Sequence, residues 1–297
     1  MRASRVVVCA CAILAIACSG TRSGSPPVDA HVTVNGHPLH VACRGGPGPT
    51  VVFEPGIGGD HSLWAIADGV RDRAFACLYD RPGDGEAPAP DRARTARTDV
   101  ADLHALLSAA GIARPVVMVG HSYGGLVAWM EAAEHPDEVA GVILIEASHP
   151  DDLERLEAVL SDEERETFRS GFSGFPVDFR GSEQEAADEL GSFPAIPLTV
   201  ITATHSMDPW CEKGLPCASM QAIALELGDA YAALRPETRH LVVPTSHYVQ
   251  DDDPDLVVDE IVHMLDAVQG RAIPSIVGDQ PGHQSSNVSA VPGRSRG

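Results

Sequence analysis

The stretch that decides the fold is Val116-Val117-Met118-Val119-Gly120-His121-Ser122-Tyr123-Gly124-Gly125-Leu126, continuing in helical style to Ala133. Val116–Val119 is an unbroken apolar run, as expected of a parallel strand buried on both faces. The residues from Leu126 onward carry the composition of a helix. Between them lies Gly-x-Ser-x-Gly, so the order is strand, tight turn, helix. A turn that sharp puts Ser122 in a strained backbone geometry, and side chains at positions 120 and 124 would collide. The hydroxyl of Ser122 then projects past the strand end, at a helix N-terminus whose dipole favours developing negative charge. Ser122 is therefore the candidate nucleophile.

Working outward, short strand-like runs alternate with longer amphipathic ones. Val32–Val34 and Leu39–Ala42 flank Asn35-Gly36, a hairpin signal. Val51–Phe53, Phe75–Tyr79, Val142–Ile145, Leu198–Ile201 and Leu241–Val243 read as further strands. Helical spacing is expected over Leu63–Arg73, Thr98–Ala110, Met220–Leu234 and Pro254–Val268. The class is α/β, with a mostly parallel sheet entered by an antiparallel hairpin. Residues 150–193 break the rhythm: they are rich in Asp, Glu and Arg and read as an insertion covering one end of the sheet. The main domain is expected over 31–269, and the polar stretch 270–297 reads as a disordered tail.

A serine hydroxyl needs a base. His247 stands just after the Leu241–Val243 strand and before the last helix, where a loop histidine reaches back toward the elbow. His121, inside the elbow, reads as structural. The base in turn needs a carboxylate to fix its tautomer. Asp208, after the Leu198–Ile201 strand, gives the chain order Ser, Asp, His and is the first choice; Glu146, at the end of the preceding strand, is the alternative. Asp251, Asp252 and Asp253 read as the acidic start of the last helix. Two backbone N–H donors for an oxyanion are expected at Tyr123 and at Ile57 in the loop Pro55-Gly56-Ile57-Gly58-Gly59.

Of 297 residues, 42 are Asp or Glu and 21 are Lys or Arg, a net charge of −21. With 44% hydrophobic residues the chain buries a core, and the charge excludes a phosphate-backbone binder, so no nucleic-acid partner is expected. Arg2 and Arg5, an apolar run from Val6 to Ala17 and small residues around it read as a signal peptide over 1–17. Cys18 then reads as a lipidation site followed by a polar tether over 18–30. The expectation is export, either anchored in a bacterial envelope through Cys18 or secreted, with no membrane contact beyond that lipid. In an oxidising compartment Cys43, Cys77, Cys211 and Cys217 make two disulfides the default. Cys211 and Cys217 flank a Gly-Leu-Pro turn and close a small loop. No cysteine pair has the spacing of a structural zinc site, the Asp and His residues do not cluster at ligand spacing, and no cofactor is implied. Oligomeric state is not encoded in any of these features.

The glycine loop at 55–59, Tyr79-Asp80-Arg81-Pro82-Gly83, the elbow at Ser122, Asp208 and His247 together resemble the α/β-hydrolase superfamily, over about Val32 to Val268. Two departures stand out: Glu54-Pro55-Gly56 where many members carry His-Gly, and Glu86-Ala87 in place of a Gly-x-Ser ending. The resemblance implies an eight-stranded sheet in the order 1-2-4-3-5-6-7-8, flanking helices and a helical cap. That order places Cys43 beside Cys77 and implies a Cys43–Cys77 disulfide next to Cys211–Cys217, the alternative being two buried thiols. It also implies a serine hydrolase that cleaves a small-molecule ester, or an amide or thioester, through an acyl-enzyme. A peptidase, a carbon–carbon hydrolase and a non-catalytic surface binding protein are the alternatives. Many acids of the insertion fall near the expected substrate entrance, so anionic substrates are expected to be disfavoured.

Overall fold

The computed structural model describes residues 28–59, 63–85, 87–189 and 191–271. The expected signal peptide, Cys18 and the tail from 272 lie outside the described residues. The expected tether overlaps the fold, because Val28–Ala30 already belong to the first strand.

In chain order the elements are β1 (Val28–Val34), β2 (His37–Gly45), β3 (Thr50–Glu54), α1 (Leu63–Gly69), β4 (Phe75–Tyr79), α2 (Ala96–Ala109), β5 (Val116–His121), α3 (Tyr123–Glu134) and β6 (Val139–Ile145). Then come α4 (Asp152–Ala158), α5 (Asp162–Ser170), α6 (Phe179–Ala187), β7 (Leu198–His205), α7 (Asp208–Cys211), α8 (Cys217–Ala232), β8 (Arg239–Ser246), α9 (Val249–Asp252) and α10 (Pro254–Val268). Among the described residues eight strands form one sheet in the order β1-β2-β4-β3-β5-β6-β7-β8. β1 and β2 pair antiparallel through the Asn35-Gly36 turn, where both residues take left-handed φ, 49° and 88°. β2 is antiparallel to β4, and every later pairing is parallel.

The period of two along the strands sorts the core into two layers. Val52, Cys77, Met118, Val142 and Leu144 face the layer holding α2 and α3. Val51, Phe53, Val117, Val119, Ile143 and Ile145 face the layer holding α1 and α10. Each fully buried aliphatic or aromatic side chain there contributes about 1.5–3 kcal/mol relative to exposure. α2 starts two residues earlier than its apolar period alone indicates, because Thr95 and Thr98 close a reciprocal capping box. α1 stops at Gly69, four residues short of the expected end. The chain from Val70 to Arg73 turns instead, and its Arg71 carbonyl accepts from Gly46 N–H at 2.6 Å.

The register sets Cys43 opposite Cys77, and they form a disulfide with Cα atoms 4.0 Å apart. Cys211 and Cys217 form the second, with Cα atoms 5.1 Å apart. The insertion between β6 and β7 supplies α4, α5 and α6. It does not stand alone: Leu156, Leu160 and Phe168 share a small apolar cluster with Leu215, Met220, Ile223 and Leu227. The second disulfide loop and α8 thus belong to the same layer as the insertion.

Candidate active site

Ser122 follows β5 directly and precedes α3, with φ 54° and ψ −126°. Its N–H donates to Ile145 O at 3.1 Å, while its carbonyl accepts from Gly125 and Ser148 N–H at 2.9 and 3.0 Å. These bonds hold a backbone conformation that costs about 1–3 kcal/mol in isolation. Glycines make the turn sterically feasible. A Cβ on Gly120 would stand 2.5 Å from Gly124 O, and one on Gly124 would strike the Glu54 carbonyl. Tyr123 is the first residue of α3, so its N–H has no partner within the helix.

His247 is the first residue past β8. Its carbonyl accepts from His121 Nε2 at 2.9 Å, and the two rings lie 4.8 Å apart. A carbonyl only accepts, so His121 carries its proton on Nε2. The Gln250 amide stands 3.4 Å from His121 Nδ1 and donates to that atom. His121 is thus a strap that fixes the loop carrying His247. Burial, then the adjacent His121, push the His247 imidazole down to about 3, so it is neutral and able to accept a proton.

Glu146 is the first residue past β6 and has φ 41°. Its buried carboxylate accepts from Ala203 N–H at 2.6 Å and bonds Ser206, and burial raises it to about 7. Glu146 and His247 line the same small cavity of about 60 Å3, with Ser148, Asp152, Met207 and Tyr231. Burial likewise raises Asp152 to about 7, and the Tyr231 hydroxyl donates to Ser148 O at 2.7 Å.

Asp208 is placed differently from the expectation. β7 continues to His205 rather than ending near Ile201, and the chain then turns outward into α7. The Asp208 side chain is 68% exposed and lies 3.7 Å from Nδ1 of His205, itself an exposed side chain. Among the described residues no contact joins it to His247; the neighbour that acts on the His247 ring is His121. Asp251 and Asp252 fall in α9 and Asp253 caps α10, with its carboxylate accepting from Leu256 N–H at 3.1 Å.

Beneath the loop that carries Ile57 lies a buried ion network not apparent from sequence spacing. Arg81 is fully buried; it donates to Glu54 at 3.1 Å, to Asp84 at 3.2 Å and to the Gly56 carbonyl. Arg94 bridges Asp84 at 2.9 Å and Asp99 at 2.6 Å. The Tyr123 hydroxyl donates to Asp99 at 2.8 Å. Both segments expected to stabilise an oxyanion therefore rest on one charged cluster: Gly56, next to Ile57, through Arg81, and Tyr123 through Asp99. Burial raises Glu54 to about 7 even against Arg81. The only sequence sign of this network was the Tyr79–Gly83 motif.

A larger cavity, about 460 Å3, lies at the opposite end of the sheet, among Pro197, Leu198, Arg239 and Met264. In open α/β sheets ligands bind outside the carboxyl ends of the strands. Ser122, Glu146 and His247 stand at those ends; the larger cavity does not.

A family model described as alpha/beta hydrolase fold matches residues 49–189. The chain has the α/β-hydrolase fold. Among its relatives is the uncharacterized protein YqjL of Bacillus subtilis, 25% identical over 228 residues, 76% of this chain and 87% of that one. The pimeloyl-[acyl-carrier protein] methyl ester esterase of Chromobacterium violaceum is 38% identical over 104 residues, 35% of this chain and 39% of that enzyme. The match thus spans about two fifths of that esterase's length. Among solved structures, a probable hydrolytic enzyme from Pseudomonas aeruginosa superposes with a TM-score of 0.59 at 19% identity, covering 83% of this chain and 96% of that one. That likeness is one of fold.

Proposed function

We propose that this chain is a serine hydrolase cleaving a small-molecule ester through an acyl-enzyme, with Ser122 as nucleophile, His247 as base and Glu146 as the acid. The observation that carries the reading is Ser122 itself. It is a non-glycine residue held at φ 54° between a buried strand and the helix whose N-terminus faces it. Strain of that kind collects at functional positions.

In the first step His247, neutral at rest, takes the Ser122 proton as the oxygen attacks the substrate carbonyl. The bond to the leaving alkoxide breaks once His247 returns the proton to it. Water, activated by the same base, then releases the acid product and restores Ser122. The developing oxyanion is received by Tyr123 and Ile57 N–H, a contribution of about 10²–10³ in rate per donor. Glu146 stabilises the imidazolium, which is otherwise costly in so buried a site. Its choice over Asp208 rests on the cavity it shares with His247 and on the exposure of Asp208. Ester chemistry accords with the methyl ester esterase among the relatives. Export, with or without a lipid on Cys18, completes the proposal; among the described residues no helix is long and apolar enough to cross a membrane.

The test is a panel of short-chain, long-chain and aryl esters offered to the wild-type chain and to Ser122→Ala. Turnover of at least one class, reduced by about 10³-fold or more in the variant, supports the reading. Equal turnover by both proteins overturns it.

A further inference from the structure

α2 and α3 pack side by side, and at the end of α3 remote from Ser122 they gather three metal-ligand side chains. His104 from α2, Glu131 from α3 and His135 at the C-cap of α3 each offer one ligand atom, all within 4.8 Å of one another. Glu131 and His135 are four residues apart and share a helix face. Glu131 is only 1% exposed, in a helix otherwise lined by Leu, Val, Ala, Trp and Met, and its Oε2 has no hydrogen-bond partner. His104 Nδ1 likewise has none. It stands 3.7 Å from Glu131 Oε1 and 3.4 Å from Glu138 Oε2, too far or too poorly directed for a hydrogen bond. The His104 and His135 rings stack at 3.8 Å. Arg114 also faces the cluster: its Nε pairs with Glu138 at 2.7 Å without hydrogen-bond geometry, and its other two nitrogens donate to Ser108 Oγ and the His104 carbonyl. A buried carboxyl oxygen and an imidazole nitrogen, close together and both unsatisfied, are costly, and a bound cation would relieve that cost.

We propose that His104, Glu131 and His135 form a structural zinc site, with water or Glu138 as the fourth ligand. Two imidazoles and one carboxylate suit Zn2+, whereas Ca2+ and Mg2+ require more oxygen ligands. Bonds of about 2.0–2.2 Å in a tetrahedron set ligand atoms about 3.3 Å apart, within reach of side-chain rotation from the present spacing. The site would tie α2 to α3. It takes no part in catalysis, because α3 is about 18 Å long and Ser122 is at its other end. Sequence spacing concealed it: His104 lies 27 residues before Glu131.

The test is calorimetric titration of ZnCl2 into the chelator-treated full chain, with thermal unfolding alongside. One zinc per chain at submicromolar affinity is expected, with Tm rising by about 5 °C at an excess of about a hundredfold over Kd. His104→Ala and His135→Asn should each weaken binding by about tenfold or more while leaving the circular dichroism unchanged, and His31→Ala should not weaken it. Absence of saturable zinc binding overturns the proposal. So does zinc binding that survives both site substitutions, or a response to Ca2+ without one to Zn2+.

Discussion

Ser122 and Glu146 occupy equivalent positions on neighbouring parallel strands. His121 is in register with Ile145, and the next residue on each strand adopts a left-handed backbone, φ 54° for Ser122 and 41° for Glu146. Each is locked by a ladder-like bond to the following strand: Ser122 N–H to Ile145 O at 3.1 Å, Glu146 N–H to Ile201 O at 2.8 Å. Among the described non-glycine residues, only Asn35 in the hairpin turn shares a positive φ. Strained residues at the carboxyl edge of adjacent central strands are of the kind that cluster at functional sites.

The first prediction separates the two candidate acids. Glu146→Gln should lower kcat by about 10²- to 10⁴-fold, because the imidazolium at His247 loses its counter-charge. Asp208→Asn, on a side chain 68% exposed, should leave kcat within about threefold. Steady-state kinetics on the best ester substrate decides between them. A large loss in Asp208→Asn with an active Glu146→Gln would reverse the assignment.

The pH profile follows from the same groups. Burial and His121 hold His247 near 3, so the base is ready throughout the ordinary range. Burial holds Glu146 near 7, so its carboxylate is lost as pH falls through that value. Activity should therefore decline below about pH 7, and Glu146→Gln should flatten that limb. Stability takes the opposite sign. A raised carboxyl stabilises the fold while protonated, below its ordinary value of 4.5, and this contribution is lost as pH rises through about 7. Glu146→Gln, which mimics the neutral acid, should thus be more stable than wild type at pH 8, on the order of 3 kcal/mol at most. At pH 4 the two should unfold alike in urea.

Arg81 joins fold to site. Arg81→Met leaves Glu54 and Asp84 without their buried partner and should cost about 3–5 kcal/mol. Arg81→Lys keeps the charge but cannot serve Glu54, Asp84 and the Gly56 carbonyl together. It should fold, with kcat reduced and KM little changed, because the loop that carries Ile57 loses its anchor. Thermal melts and steady-state kinetics on the two variants check this.

What the sequence made legible was whatever depends on local pattern. The elbow at Ser122, the strand runs and the hairpin at Asn35-Gly36 follow from sterics and periodicity over a few residues. The disulfide at Cys211 and Cys217 is equally local. Asp208 lies farther from the sheet than its place after a strand suggested, because β7 runs four residues past Ile201 and the chain then enters α7, where Met207 and Trp210 pack on the cluster of the insertion. The Arg81–Asp84–Arg94–Asp99 network ties the connection after β4 to α2 and, through Glu54 and Gly56, to the end of β3, and no spacing rule reports such a meeting. The same is true of His104 and Glu131. Glu146 was visible only as a residue after a strand; its φ is a property of the folded chain.

The two disulfides should differ in worth. Cys43–Cys77 closes a separation of 34 residues and Cys211–Cys217 one of 6. Loop-closure entropy then gives about 4 and about 2 kcal/mol respectively. Paired Cys→Ala substitutions measured by chemical denaturation should reproduce that order. Loss of the second pair should also lower activity more than its stability cost accounts for, because it loosens the layer over the site.

Covalent labelling tests directly whether Ser122 is an activated nucleophile. Folded protein is incubated with a fluorophosphonate and its intact mass and labelled peptide are read. One adduct per chain is expected, on Ser122, absent in Ser122→Ala, formed much more slowly in Glu146→Gln and at an unchanged rate in Asp208→Asn. A folded wild-type chain that takes up no label, or takes it up on another residue, contradicts that role for Ser122.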